Sequence, residues 1–256
     1  MYSGLEYKKK VVVGLIMIFA LLFFCGWVVY EEEVKETTHA VENEETEELK
    51  KERVIDPNRP MIALTFDDGP GKYTMQLLNL LEYYDVRASF FMVGTKVKQY
   101  PDEIRKMKEM GCDIGNHSTN HPKLTSRTPE EIYYEIDTTN VWIQEIIGHG
   151  ATLVRPPYGA TNDTVQIIAN APIVMWSKDT RDWELKDANL VRDAVLNSVE
   201  DGDIVLLHDI HETTVQAMFE VIPSLIERGY QLVTVREMAE ARGITMQSTI
   251  KYYSFP

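Results

Sequence analysis

Apolar runs and helix-period segments alternate along the chain from Met61 to Val235. Seven runs have the length and the β-branched or aromatic content of buried strands: MIALTF (Met61–Phe66), ASFFMV (Ala88–Val93), CDIGN (Cys112–Asn116), TLVRP (Thr152–Pro156), IVMW (Ile173–Trp176), DIVLLH (Asp203–His208) and QLVTV (Gln231–Val235). Between them MQLLNLLEYY (Met75–Tyr84), PEEIYYEIDTTNVWIQEII (Pro129–Ile147), NLVRDAVLNSV (Asn189–Val199) and TTVQAMFEVIPSLIERG (Thr213–Gly229) repeat apolar residues at helical spacing. Tyr133, Tyr134 and Trp142 fall in that period and are expected in the core. Strands alternating with helices predict an α/β fold of parallel strands joined by covering helices. Periodicity leaves both a distorted barrel and an open sheet standing. In either, ligands gather at the carboxyl ends of the strands.

The N-terminal pattern is different. Val11 to Tyr30 is uncharged, with Lys8, Lys9 and Lys10 before it and Glu31, Glu32 and Glu33 after. About 20 apolar residues of helix cross a bilayer core, and the basic flank stays cytoplasmic. A cleaved signal peptide has an apolar region of about 7–15 residues ending in small residues, whereas this run ends in Trp27, Val28, Val29 and Tyr30. The expectation is a cytoplasmic N-terminus (1–10), a single transmembrane anchor (11–30), an acidic extracellular stalk (31–56) and one extracellular domain (57–256). Glu-to-Lys spacings in the stalk support some helix, and His39 within it is given no role.

Composition narrows the partners. The 256 residues carry a net charge of -14, which argues against nucleic acid, because phosphate binding needs clustered Lys and Arg. Cys25 lies in the expected membrane span and Cys112 far from it, so no disulfide joins them. The LLFF before Cys25 lacks the small residues of a lipid-attachment signal. Cys112 reads as a small buried apolar residue.

The chemistry-bearing residues fall at the expected strand ends. TFDDGP (Thr65–Pro70) follows the first strand, NHSTNH (Asn116–His121) the third and RPPYG (Arg155–Gly159) the fourth; DTRDW (Asp179–Trp183) follows the fifth and HDIH (His208–His211) the sixth. Each alone has a bland reading: a turn, surface histidines, a proline loop, a core tryptophan. Five at five strand ends do not. Adjacent Asp67 and Asp68 point to opposite faces of a strand, so they reach one site only where the strand bends.

The set TFDDGP, HSTNH, RPPYG, DTRDW and LLHD resembles the polysaccharide deacetylases, carbohydrate esterase family 4, with the NodB-like domain. The resemblance spans about Asp56 to Ala241 and implies a distorted (β/α) barrel. It implies Asp68, His117 and His121 as ligands of a divalent metal, zinc first, with cobalt, nickel or iron also suited to such donors. Asp67 is then the general base, paired with Arg155, which keeps it oriented and ionised. The Tyr158 N–H stabilises the oxyanion. His208 is the general acid, with Asp182 behind it favouring the imidazolium. Tyr158, Trp183 and Leu206 contact the substrate, the last two lining a small pocket for the acetyl methyl. His149 sits in a helix-ending turn, and His211 and the tail KYYSFP receive no role.

The implied function is metal-dependent deacetylation of N-acetylated glycans outside the cell. An anchored enzyme meets its own wall first, so peptidoglycan N-acetylglucosamine is the favoured substrate. The intact DDGP agrees, since relatives specialised for N-acetylmuramic acid often carry Asn at one acid. Chitooligosaccharides and acetylxylan are alternatives within the fold. A non-catalytic glycan-binding protein is the rival of another class; such proteins lose the base or a ligand, and none is missing here.

Overall fold

Strand β1 (Met61–Asp67) is buried at every position, and its two faces feed two different cores. Ile62, Leu64 and Phe66 join a cluster beneath the covering helices. Met61 and Ala63 join a second cluster inside the curl of the sheet. This is the period of two expected of a strand covered on both sides. Thr65 and Asp67 continue the inward-facing row, so the same alternation that builds the interior aims the first acid into it.

The computed structural model describes residues 53–256, of which Ile55–Pro256 form one unit. The expected anchor and nearly all of the expected stalk lie outside the described residues. Among those described, no helix is long and apolar enough to cross a membrane.

Eight further strands accompany β1: β2 (Ser89–Met92), β3 (Asp113–Asn116), β4 (Leu153–Val154), β5 (Ile173–Val174), β6 (Lys178–Asp179), β7 (Asp203–His208), β8 (Gln231–Leu232) and β9 (Lys251–Tyr252). Their order is β6-β7-β1-β2-β3-β4-β5-β9, with β8 also on β1, and the ladders between strands are all parallel. The result is a curled, incomplete (β/α) barrel. Register aligns the carboxyl ends: Asp67 pairs with Phe91 and His208, Met92 with Asn116, and Asn116 with Val154. One residue beyond those ends stand Asp68, His117 and Arg155.

The helix Pro129–Ile147 matches the expected bounds because its ends are chemically marked. Thr128 and Glu131 form a capping box, and Gly148 closes it in the left-handed conformation. Three expectations need correction, and the unassigned tail gains a role. QLVTV is strand only to Leu232, since Thr234 caps a helix over Val235–Ala241. Two strands of two residues, β6 and β9, are additional to the seven. Tyr133 and Tyr134 are more than half exposed, and only Trp142 of that trio packs against the core. The tail is structural: β9 pairs with β5, Ser254 bridges to Asp203, and Phe255 is buried.

Candidate active site

Asp67 enters the interior and meets Arg155, whose side chain is fully buried. Arg155 Nη1 donates to Asp67 Oδ1 at 2.7 Å and to Thr65 Oγ1 at 2.8 Å. Its Nε and Nη2 donate to the carbonyls of Val174 and Met175 at 3.0 and 2.8 Å. The guanidinium lies over the Phe91 ring, 4.1 Å from its centroid, with Trp176 at 5.7 Å. Phe91 has room because residue 115 is glycine; a Cβ there would fall 2.4 Å from the Phe91 ring. Burial pulls the Arg155 pKa down and Asp67 opposes it; a guanidinium starts high enough to stay charged.

After Asp67 the chain turns sharply. Asp68 has φ 67°, a left-handed conformation that swings its carboxylate toward the loop following β3. Asp68 Oδ1 lies 3.3 Å from His121 Nε2 and 3.6 Å from His117 Nε2. The three ligand atoms stand within 4.8 Å of one another. Both acids therefore serve one site, one from the strand face and one from the bend.

These three residues fit a divalent metal. Asp68 Oδ1 is buried without a hydrogen-bond partner, a costly state for a carboxylate oxygen that a cation relieves. His117 Nδ1 sits 2.6 Å from the Arg155 carbonyl. That carbonyl can only accept, so Nδ1 carries the proton and Nε2 presents a lone pair to the site. His121 titrates below its ordinary value, through burial and then the neighbouring His117, with Asp68 opposing. A neutral imidazole is the ligating form.

The loop carrying both histidines is tied to the helix Pro129–Ile147. Glu135 accepts from the Asn120 backbone at 2.7 Å and from its amide at 2.9 Å. Thr119 Oγ1 donates to the Glu135 carbonyl, and Asn116 Nδ2 to the carbonyl of Ile136. Ser118 and His121 both hold positive φ. Left-handed non-glycine residues concentrated at strand ends mark the strain typical of functional loops.

On the other side of β1, His208 Nδ1 donates to Asp182 Oδ1 at 2.8 Å, and the His208 backbone N–H donates to Oδ2 at 2.7 Å. Thr214 Oγ1 donates to the same Oδ2 at 2.7 Å. Burial alone would lower the His208 pKa, but the hydrogen bond and charge of Asp182 raise it to about 9. Burial opposes ionisation of Asp182, yet those bonds bring its pKa below the ordinary carboxylate value.

The remaining expected residues are less enclosed. Tyr158 has φ 60° and is 68 % exposed, with its ring edge-on to His121 at 4.7 Å; no described backbone bond uses its N–H. Leu206 is buried on β7, but Trp183 is 48 % exposed on the short helix Asp182–Leu185. Trp183 thus borders open solvent. His211 stands beside His208, with ring centroids 6.0 Å apart, and His149 is exposed. Sequence reasoning missed Glu135 and Thr214, which carry no motif. It also left Asp209 unassigned inside LLHD. This carboxyl is fully buried, accepts from Thr74 Oγ1 and faces Gly69, and burial raises its pKa to about 7.

Residues 55–176 match the polysaccharide deacetylase family. The chain is 40% identical to the peptidoglycan-N-acetylmuramic acid deacetylase PdaC of Bacillus subtilis over 76% of its own length and 42% of PdaC. It is 40% identical to the peptidoglycan-N-acetylglucosamine deacetylase PgdA of Listeria monocytogenes over 69% of its own length and 38% of that protein. It therefore spans about two fifths of the length of these curated relatives. Among solved structures it resembles a family 4 acetyl xylan esterase from Clostridium thermocellum in complex with a cobalt ion: 34% identity, TM-score 0.72, covering 77% of this chain and 99% of that one. The chain belongs to the polysaccharide deacetylase family.

Proposed function

We propose that the chain is a metal-dependent hydrolase that removes acetyl groups from N-acetylated peptidoglycan, with N-acetylglucosamine as the acetylated sugar. The observation that carries this reading is convergence. A buried carboxylate–arginine pair, a two-histidine, one-carboxylate cluster and a histidine–aspartate pair stand at neighbouring strand ends. Acetamide hydrolysis needs a base for water, a stabilised oxyanion and a proton for the amine.

Asp68, His117 and His121 would hold the metal, zinc by the borderline character of the donors. A divalent cation there supplies Lewis acidity toward water and the acetyl carbonyl. Asp67, oriented by Arg155, takes a proton from water as the carbon–oxygen bond forms. The Tyr158 N–H donates to the oxyanion. His208 then delivers a proton to nitrogen as the carbon–nitrogen bond breaks, leaving acetate and a free amine. The hydrogen bond and charge of Asp182 raise the His208 pKa, which favours the protonated state an acid must start in. Trp183 and Tyr158, exposed beside this machinery, offer faces to a sugar ring.

The Val11–Tyr30 run supports an anchored enzyme with its domain outside the cell, acting on the adjacent wall. N-acetylmuramic acid is the second reading, favoured by the equal identity to PdaC. Mass spectrometry of defined glycans incubated with metal-loaded protein tests both. Loss of one acetyl group from an N-acetylglucosamine unit is expected. Loss only from the muramic unit selects the second reading, and no loss from either removes the deacetylase assignment.

A further inference from the structure

Asp182 has a third donor that an acid–orienter pair does not require. Thr214, in the first turn of the helix Glu212–Glu227, is fully buried, and its described side-chain hydrogen bond goes to Asp182 Oδ2 at 2.7 Å. A threonine in a helix often turns its hydroxyl back to the carbonyl four residues earlier; this one reaches across to the carboxylate instead. Asp182 accepts from both donors of His208 as well. A hydroxyl has a single proton, and donation to Asp182 leaves the carboxylate as a pure acceptor.

We propose that Thr214 is a positioning residue that sets the proton affinity of His208 through Asp182. The proposal rests on the reading of His208 as the general acid. Its sign follows from where the hydroxyl acts. A donor to Asp182 stabilises that carboxylate most when the imidazole is neutral and no cation shares its charge. Thr214 therefore favours release of the proton from His208, while Asp182 itself favours retention. The two tune the acid in opposite directions.

Other charged groups face His208: Asp67 and Asp68 from the end of β1, His121 from the loop after β3, and Asp209 and His211 from its own loop. None of them is described in contact with Thr214, so a change at 214 acts on His208 through Asp182.

The test is Thr214→Val, close in shape but without the hydroxyl, in the full metal-loaded protein. NMR titration of the His208 ring and the pH–rate profile on an N-acetylglucosamine oligomer are read together. Thr214→Val is expected to move the His208 pKa and the alkaline limb upward by roughly half a unit. Thr214→Ser restores both, and Asp182→Asn moves them downward. Thr214→Ala carries the same expectation should the valine variant not fold. A ring pKa in Thr214→Val at or below the unsubstituted value overturns the proposal, because loosened packing alone weakens the pair and lowers it. A raised ring pKa with an unmoved alkaline limb upholds the role of Thr214 and instead removes His208 as the acid.

Discussion

Asp67 and Asp68 differ in environment by one bend of the chain, and that difference predicts separable losses. Asp67 points inward and is bonded to Arg155, while Asp68 leaves an oxygen facing two imidazoles. Asp67→Asn should retain the metal and lose roughly 10²–10⁴-fold in turnover, the usual worth of a general base. Asp68→Asn should lower metal affinity, read by competition with a chromogenic chelator. Equal metal loss in the two variants contradicts the division. A second prediction concerns pH in the metal-free protein. The folded pKa of His208 is raised to about 9 from an ordinary 6.5. Its contribution to stability is therefore fully present below pH 6.5 and lost as pH rises through 9, worth roughly 3 kcal/mol at most. Asp182 is lowered, so its contribution is present above its ordinary value and lost as pH falls through the depressed one. Urea midpoints from pH 6 to 10 should fall more steeply for the unsubstituted chain than for His208→Gln, because Asp209, raised to about 7, contributes a decline of its own to both. Equal slopes in the two refute the linkage.

At the scale of elements, the metal loop owes its shape to the helix Pro129–Ile147. Glu135 grips both the backbone and the side chain of Asn120, next to His121. Glu135→Ala should weaken metal binding by about 10–100-fold, the usual loss when outer partners of a metal site are removed. Melting of the metal-free protein should change little by comparison. Unchanged metal affinity would mean that the loop holds its geometry without this tie. Elements also explain what the sequence made legible. The helix Pro129–Ile147 advertises both ends, and the buried β1 reads plainly as an apolar run. β6 and β9 do not, because two residues cannot show a period. Tyr133 and Tyr134 kept the helical period yet face solvent, since an aromatic at the right spacing still depends on what covers it. In the site, Asp68, His117 and His121 were readable as motif positions. Glu135 and Thr214 were not: each acts on a partner 15 or 32 positions away, through contacts that only the fold creates.

For the folded unit as a whole, the sheet is an open path with β6 and β9 at its ends, and the last residues of the chain tie one end toward the other. From β9, on β5, the chain continues to Ser254, which bridges to the first residue of β7. Phe255 N–H then donates to the Gly202 carbonyl at 2.8 Å. Gly202 holds φ 83°, and a Cβ there would fall 2.4 Å from the Phe255 carbonyl oxygen, so the turn before β7 admits the tail only as glycine. The Phe255 ring joins the interior cluster with Met61, Ala63, Phe91, Val174 and Ile204, contributed by β1, β2, β5 and β7. It fills space that four strands share. Phe255→Ala should therefore destabilise the fold by about 3–5 kcal/mol, the usual range for an aromatic removed from a packed core. Thermal melting measures it directly. The proposed metal ligands stand past the carboxyl ends of β1 and β3, whereas Phe255 meets the residues next to the amino end of β7. Metal affinity of Phe255→Ala, taken well below its melting temperature, should consequently match that of the unsubstituted protein. An unchanged melting temperature would show that the tail merely covers the sheet; a matched fall in stability and metal affinity would show that the interior cluster transmits through Phe91 to Arg155 and the strand ends.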